Sequence, residues 1–260
     1  MTTLATAPAP PGFDAPGVED FQLPPIFGDI TKPVLQLVLA ALIIWAFFAF
    51  SVRKPSLVPS KSQFLGESLH GLVRNSIARD NIGPEFLKFV PYLTTLFAFI
   101  LVNNLFGIVP IIQFPTFSHP GVPYALAAFT WLIFTWVGIK HHGFMGYVRI
   151  SVWPPGVPGW VRFILTPIEF ISNILLRPVT LSLRLFGNMF AGHLLLLVFI
   201  LGGEYMLLHS ETLLVNILSP FAFLMGIVFT FFEAFIQVVQ AYVFTILTAS
   251  YIGTVLADDH

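Results

Sequence analysis

Polar side chains that can hold a charge or move a proton recur inside two long apolar segments in the C-terminal half of the chain. A guanidinium at the centre of a membrane helix costs about 2.5–3.5 kcal/mol on insertion scales, so such groups mark function there. In the second of these segments the polar residues recur at i, i+4 and i+7, so they share one face of a helix. The residues are Arg184, Asn188 and His193 in the stretch LSLRLFGNMFAGH, and Glu233, Gln237 and Gln240 in the second segment.

Glu233 and His193 predict a proton relay. A carboxyl and an imidazole can both exchange protons near neutral pH when burial and mutual contact shift their pKa values. Ionisable groups inside membrane helices commonly form such relays. For Asn188, Gln237 and Gln240 a second interpretation stays open, because amides also join helices in lipid by bonding one another.

Arg184 predicts a different role, because a guanidinium stays protonated under any condition a cell offers. It cannot relay a proton, but it can hold a carboxylate in its charged form and repel a passing cation. No acidic residue of this chain is an obvious partner, and Glu233 lies about 10 Å away along the helix axis in the register given below. We therefore expect the partner carboxylate on another subunit.

The composition is that of an integral membrane protein. Of 260 residues, 56% are hydrophobic and 10% charged, with a mean hydropathy of +0.85, whereas soluble domains carry about 25% charged residues. The net charge of -1 gives no basic field for nucleic acid. The absence of cysteine excludes disulfides, thiolate catalysis and iron–sulfur ligation. His141-His142 could suggest a metal site, but no further ligands lie near them in sequence, so we expect neither a metal nor a cofactor.

The apolar runs predict an all-α fold with about five crossings of the lipid bilayer, since about 20 residues span its core. Between the first two runs, a stripe of apolar residues on a polar background predicts an amphipathic helix over 60–80 that lies on the membrane surface. The stripe consists of Leu65, Leu69, Leu72, Val73 and Ile77, and the runs are 33–51, 84–110, 123–139, 166–203 and 219–257.

The last two runs are about 36–38 residues each, or roughly 55 Å of helix, so each is expected to cross once, tilted or kinked. Thr166 and Ser219, each followed by proline, predict N-caps, and Gly202-Gly203 predicts a helix end. Pro178 is the expected kink. For Glu169, a capping-box role and a role at the inner water interface stay open.

We expect these two helices to form an antiparallel hairpin over 163–257. Its register follows from the positions of the polar residues along the two helices. It brings the ionisable and amide side chains to matching depths in three pairs. These are His193 with Glu233, Asn188 with Gln237, and Arg184 with Gln240.

Loop charges predict the orientation. Residues 52–84 contain five Lys or Arg and 140–165 contain three, against one in 1–32 and none in 202–212. Under the positive-inside rule the first two loops are cytoplasmic. The expected organisation is an exposed extracytoplasmic tail over 1–32 and a single membrane domain over 33–260, with the N-terminus outside and the C-terminus in the cytoplasm.

The stretches RPVTLSLRLFGNMFAGH and EAFIQVVQAYVFTILTASYI closely resemble the a-subunit family of F-type ATP synthases, as do NNLFGIVP at 103–110 and PIEFISN at 167–173. The resemblance covers the chain from about residue 64 to its end. It implies that Arg184 is the stator arginine that faces a ring of c subunits, with Gln240 opposite and Asn188 near the proton path. It further implies that His193 and Glu233 are the family's ionisable pair, here in an order that is swapped relative to some members.

The resemblance also implies partners and location. The c-subunit ring, b-type peripheral-stalk subunits, the rest of the F1Fo complex and the lipid bilayer are expected partners, and the bacterial plasma membrane is the expected location. The subunit would carry proton translocation, with no ATP chemistry of its own. The rival classes are a secondary transporter and a membrane-embedded enzyme. A secondary transporter usually shows two related halves, and a membrane-embedded enzyme needs a ligand cluster; neither pattern is visible in the sequence.

Overall fold

A computed structural model describes residues 16–17, 31–53, 56–109, 112, 114–152, 159–210 and 213–257, with the backbone alone for 159–164. Every regular element in these ranges is a helix, as predicted. The predicted tail over 1–32 lies almost entirely outside the described residues. The α-helices are α1 (Lys32–Val52), α2 (Lys61–Leu72), α3 (Arg79–Ile82), α4 (Val90–Phe106), α5 (Gly121–Val152), α6 (Gly159–Phe170), α7 (Arg177–Leu208) and α8 (Leu213–Leu256).

Two π-helical turns make neighbouring helices continuous. Val73–Ala78 joins α2 to α3, and Ile171–Leu176 joins α6 to α7. The second turn ends two residues before Pro178, whose nitrogen has no hydrogen to donate and whose ring clashes with the carbonyl group four residues earlier. The irregularity that the sequence predicts at Pro178 is therefore present as a widened turn on its N-terminal side.

Among the described helices, four are long and apolar enough to cross a membrane. They are Lys32–Val52, Gly121–Val152, Leu165–Leu208 and Leu213–Leu256. The shorter apolar α4 has 17 residues, at the lower limit for a crossing. These elements agree with the five predicted runs. The two C-terminal stretches are 44 residues each, longer than predicted, which is about 66 Å of helix.

The predicted helix starts at Thr166 and Ser219 are wrong. Helix α6 already begins at Gly159, and α8 begins at Leu213, so Pro167 and Pro220 lie inside helices. The Ser219 hydroxyl donates instead to the carbonyl oxygen of Gly203 across the hairpin, at 2.8 Å. In an apolar medium a helix satisfies its own backbone, so a serine–proline pair does not end it as it would in water.

The predicted helix end at Gly202-Gly203 is wrong for the same reason, since α7 continues to Leu208. Gly203 is buried, and a Cβ placed on it would lie 3.3 Å from the Phe223 ring of α8. The glycine thus serves close helix packing, as small residues do in membrane bundles.

The third predicted crossing ends where the chain reverses at Gly143. This residue has φ 74° and ψ 166° within α5, a conformation that residues with a side chain rarely adopt. Beyond it a short helix returns toward the crossing, where Tyr147 packs against Gly138 and its hydroxyl lies 3.2 Å from the Thr135 hydroxyl. The sequence predicts a loop over 150–161, of which 153–158 lie outside the described residues.

The apolar stripe predicted for 60–80 is only partly the buried face. Val73 and Ile77 are fully buried, but Leu65 and Leu72 are 57% and 42% exposed. In α2 the buried positions are Gln63 and Gly66. A Cβ on Gly66 would collide with the Ser51 hydroxyl at the end of α1, so close packing with α1 rather than hydrophobicity sets the buried face.

The end of α8 packs against α3 through a glycine contact. The Asn81 side chain accepts a 2.8 Å hydrogen bond from the Ser250 hydroxyl. One turn further, a Cβ on Gly253 would overlap the carbonyl oxygen of Asn81 and lie 3.3 Å from the Cα of Ile82. Both atoms are backbone, so no side chain can move aside.

We expect Gly253→Ala to force α3 away from α8 and to destabilise the protein by about 1–3 kcal/mol, the usual cost of overpacking. The thermal unfolding temperature of the purified complex and its yield from membranes measure this. Gly71→Ala is the control, because a Cβ on Gly71 meets nothing within 4 Å. Equal stability of the two variants would contradict the contact.

Candidate functional site

Helices α7 and α8 form the antiparallel hairpin that the sequence predicts, and its polar side chains meet near the middle. The Asn188 Nδ2 group donates to Oε1 of Gln240 at 2.8 Å. The sequence predicts matching depths for Asn188 and Gln237 and for Arg184 and Gln240, but the hydrogen bond of Asn188 goes to Gln240. Matching depths are necessary for contact, but the rotation of each helix about its axis decides which pairs touch.

Glu233 is buried at 3% exposure on the inner face of α8. Its Oε1 accepts a 3.2 Å hydrogen bond from Nε2 of Gln237, one helical turn along. A Cβ on Gly192 would lie 3.1 Å from the Glu233 carboxyl carbon, so glycine at that position leaves room for the side chain. The carboxyl therefore sits in a tight polar position between the two helices.

A cavity of about 220 Å³ adjoins the Glu233 carboxyl. It is large enough for several water molecules, since one water occupies about 30 Å³ of liquid. Asn188 and Glu233 are the polar side chains of its wall, and the remaining lining residues are Ala191, Gly192, Leu195, Phe229, Phe232 and Ile236. Water in this cavity would join the Asn188–Gln240 amide pair to the Glu233 carboxyl.

Helix α4 carries two adjacent buried amides, one of which reaches the site although the sequence does not predict it there. Asn104 is fully buried and donates through Nδ2 to the carbonyl oxygen of Gln237 at 2.9 Å. Asn103, also fully buried, donates to the carbonyl oxygen of Phe99 at 2.8 Å. Two adjacent amides inside an apolar run are the signal that could have identified them, because buried polar groups in lipid are costly.

Arg184 lies on an exposed stripe of α7. Its members follow at intervals of three or four residues, so they share one helical face. In the part of the chain that the structure describes, no hydrogen bond or ion pair is recorded for the Arg184 guanidinium. The stripe, called the α7 stripe below, begins at Leu176 of the preceding π-helical turn and continues on α7 with Thr180, Arg184, Asn188, Ala191 and Leu195.

His193 and Glu169 lie at other points of the same helical stretch. His193 is half-buried, directly after the Gly192 that contacts Glu233. Glu169 accepts a 2.8 Å hydrogen bond from Nδ2 of Asn173, which also donates to the Ser151 carbonyl oxygen. Because the helix begins at Gly159, Glu169 is not a capping-box partner, and that alternative is wrong.

The carboxyl of Glu233 is a group that can hold a proton, and buried amides surround it as hydrogen-bond partners. Glu233 and Gln237 are linked directly, while Gln240 and Asn188 form a second linked pair. A permanent positive charge at Arg184 stands at the outer surface of the hairpin, one turn from Asn188. No group of three or more potential metal ligands occurs among the described side chains.

We expect Asn188→Leu to destabilise the hairpin more than the double variant Asn188→Leu/Gln240→Leu. The single variant leaves the buried Gln240 amide oxygen without its partner, whereas the double variant removes both polar groups. Interhelical hydrogen bonds in membranes have coupling energies of about 0.6 kcal/mol on average. Detergent-induced unfolding of the wild type, of the single variants Asn188→Leu and Gln240→Leu and of the double variant gives the coupling energy. A value of zero would contradict the bond.

Residues 34–253 match the family described as ATP synthase A chain. A relative from Nocardioides sp. named ATP synthase subunit a is 50% identical over 263 residues, which cover 96% of this chain and 95% of the relative. A relative of the same name from Pseudarthrobacter chlorophenolicus is 45% identical over 257 residues, covering 95% of each chain. Another from Streptomyces lividans is 38% identical over 256 residues, covering 96% of this chain and 90% of the relative.

Proposed function

The chain belongs to the ATP synthase A chain family, and from that premise we propose how it couples proton flow to rotation in the Fo membrane sector. Its function is proton translocation as part of an F1Fo ATP synthase, and it is a multi-pass membrane protein. The observation that carries the proposal is the set of polar side chains buried inside an apolar hairpin. These are Glu233, Gln237 and Gln240 on α8, and Asn188 of α7 is hydrogen-bonded to Gln240.

In the proposed path a proton enters from the outer side through a water-lined half-channel between α7 and α8. It passes His193 and Glu233, which hold and release it. Gln237, Gln240 and Asn188 extend the polar surface toward the α7 stripe. The cavity beside Glu233 supports this step, because it gives water access to a carboxyl that is otherwise enclosed.

Arg184 is proposed to stand between the two half-channels and to face a carboxylate of the c-subunit ring. Its charge favours the ionised carboxylate and blocks direct passage of protons. The carboxylate crosses lipid only when protonated, so its proton must be taken up on one side of Arg184 and released on the other. Glu169, fifteen residues before Arg184 and so roughly 22 Å along the helix, is proposed to lie at the inner exit.

The proton motive force then becomes rotation of the ring. Each charge that crosses the membrane contributes about 2.3 kcal/mol per 100 mV, so several protons supply the free energy for one ATP. The chain makes no ATP in this scheme. The great length of α7 and α8 is consistent with strongly tilted helices that follow the surface of a neighbouring ring.

The proposed organisation places the single membrane domain over 33–260, with the hairpin over 163–257 and an extracytoplasmic tail over 1–32. The N-terminus lies outside the plasma membrane and the C-terminus in the cytoplasm. The loop charges support this orientation. Besides the c-subunit ring, b-type peripheral-stalk subunits are the proposed neighbours within the complex.

Single cysteines test which face of α7 meets the ring, since the chain has no cysteine of its own. We expect Leu183→Cys, at a position 47% exposed beside Arg184, to form a disulfide with a cysteine introduced next to the c-subunit carboxylate. Leu185→Cys is the matched control, because Leu185 is fully buried. Oxidation in native membranes followed by electrophoresis detects the product.

Cross-linking of the buried position in preference to the exposed one would contradict the proposed contact. Copurification provides an independent check. We expect the chain to be isolated together with a small, ring-forming hydrophobic subunit, whereas transport of a solute by the purified chain alone would favour the rival class of secondary transporter.

A further inference from the structure

A cleft separate from the hairpin site lies where the ends of three helical elements meet. It has a volume of about 400 Å³, within the usual range of small-molecule sites. The segment before α4, the end of the α5 crossing and the end of α8 form its walls. The lining residues, called the α5 cleft below, are Glu85, Lys88, Phe89, Trp136, Val137, Lys140, His141 and Leu256.

The α5 cleft has a polar rim and an apolar floor. Lys140 and His141 are exposed at the point where the apolar run of α5 ends. Trp136 lies one turn earlier on the same face and is 69% exposed, as is typical of tryptophan at a membrane interface. With Phe89, it gives the floor large aromatic surfaces. A phospholipid has the same division between a charged headgroup and an apolar body.

The charges of the rim favour an anion. Lys88 is neutralised by Glu85, with Nζ and Oε1 3.0 Å apart. Among the described residues Lys140 has no recorded carboxylate partner, so its charge is available to a ligand. The rim thus carries two ammonium groups against one carboxylate.

The hydrogen bonds of the neighbouring residues His141 and His142 indicate that an N–H group of His141 is a further donor at the cleft. Nε2 of His142 lies 3.0 Å from the carbonyl oxygen of Val255, which can only accept, so His142 must donate there. The same nitrogen lies 3.2 Å from Nδ1 of His141. Because that nitrogen carries a hydrogen, Nδ1 of His141 cannot donate to it. In the neutral ring of His141 the hydrogen is therefore placed on Nε2, where it can be donated to an anion.

We propose that the α5 cleft binds the phosphate headgroup of an anionic phospholipid. Lys140 and the Nε2–H of His141 contact the phosphate oxygens, and Trp136 and Phe89 pack against the glycerol and upper acyl region. The site uses no residue of the proposed proton path. It joins α4, α5 and α8 through one lipid at the end of the helices.

A photoactivatable phosphatidylglycerol tests the site in the intact purified complex. After irradiation, peptide mapping by mass spectrometry measures the label on the segment 136–141. We expect unlabelled phosphatidylglycerol to compete strongly, and phosphatidylcholine and millimolar inorganic phosphate to compete weakly. Equal competition by phosphatidylcholine would remove the role of charge, and strong competition by inorganic phosphate would make the cleft a free-anion site; either result overturns the proposal.

Single substitutions test whether the labelling depends on the α5 cleft. We expect Lys140→Gln to reduce labelling about fivefold, the loss typical of one basic residue at an anionic surface. Lys61→Gln, at an exposed lysine outside the cleft, should leave it unchanged, and Lys140→Arg should retain it. An equal loss in Lys61→Gln, or no loss in Lys140→Gln, overturns the proposal. The competition experiment needs only the wild-type complex, so it decides the question even if Lys140→Gln fails to assemble.

The sequence places Asp258 and Asp259 just after Leu256, and these carboxylates are the competing occupant. Replacing both with asparagine should leave the labelling unchanged. A marked increase would assign the cleft to the acidic end of the chain itself and would overturn the lipid proposal.

Discussion

Arg184→Ala abolishes coupled proton flow while the complex still assembles. Arg184 is exposed on the α7 stripe, and in the described part of the chain its guanidinium has no recorded partner whose loss would unfold the hairpin. In the proposed function, its removal takes away the charge that keeps the ring carboxylate ionised and blocks direct passage of protons. We expect ATP-driven proton pumping in inverted membrane vesicles, measured by quenching of a pH-sensitive dye, to fall to background.

Arg184→Lys separates the need for a charge from the need for a guanidinium. We expect strong impairment, because an ammonium is more strongly hydrated and can lose its proton in an apolar site. The control is Arg149→Ala, which removes an exposed arginine at the end of α5. Normal pumping by Arg184→Ala, at a subunit content equal to that of the wild type, would refute the assignment of this residue.

Glu233→Gln slows proton transport and leaves assembly intact. The glutamine side chain has nearly the same shape and still offers an oxygen to Nε2 of Gln237, which bonds Glu233 at 3.2 Å. It cannot take up and release a proton. Since general acid–base groups typically contribute about 10²–10⁴-fold to proton-transfer steps, a relay at Glu233 predicts a decrease of up to that size.

The rate of ATP synthesis in reconstituted vesicles under a fixed proton gradient measures the effect of Glu233→Gln. Glu204→Gln is the matched control, because Glu204 lies on α7 of the same hairpin but is exposed. An unchanged rate in Glu233→Gln would exclude the relay role. A loss of the assembled subunit would instead mean that the carboxyl is needed for packing against Gly192.

Much of the fold follows from the sequence alone. Five apolar runs of sufficient length predict the membrane elements, and the structure has a helix at each of them. The exact ends could not be predicted. Thr166 and Ser219 carry the signals of helix starts in water, but α6 and α8 extend past them, because in lipid no solvent competes for the backbone groups of a continuing helix.

The ionisable residues of the candidate site could also be predicted from the sequence, because Arg184 and Glu233 are charged residues within apolar segments. The relative depths of the polar side chains follow from their spacing along two antiparallel helices. Which of these side chains touch one another does not follow from the spacing. Asn188 bonds Gln240 rather than Gln237, and Asn104 of α4 reaches the Gln237 carbonyl oxygen.

The sequence by itself therefore determined which groups lie within the membrane and at what level. Only the tertiary structure decided which of them touch, which face of α7 carries Arg184 outward, and how Gly143 turns the chain back at the end of the third crossing. The physical reason is that the lipid-facing and the protein-facing sides of a membrane helix are both apolar. Hydrophobic periodicity, which fixes the inward face of a helix in water, carries little information about rotation in a bilayer.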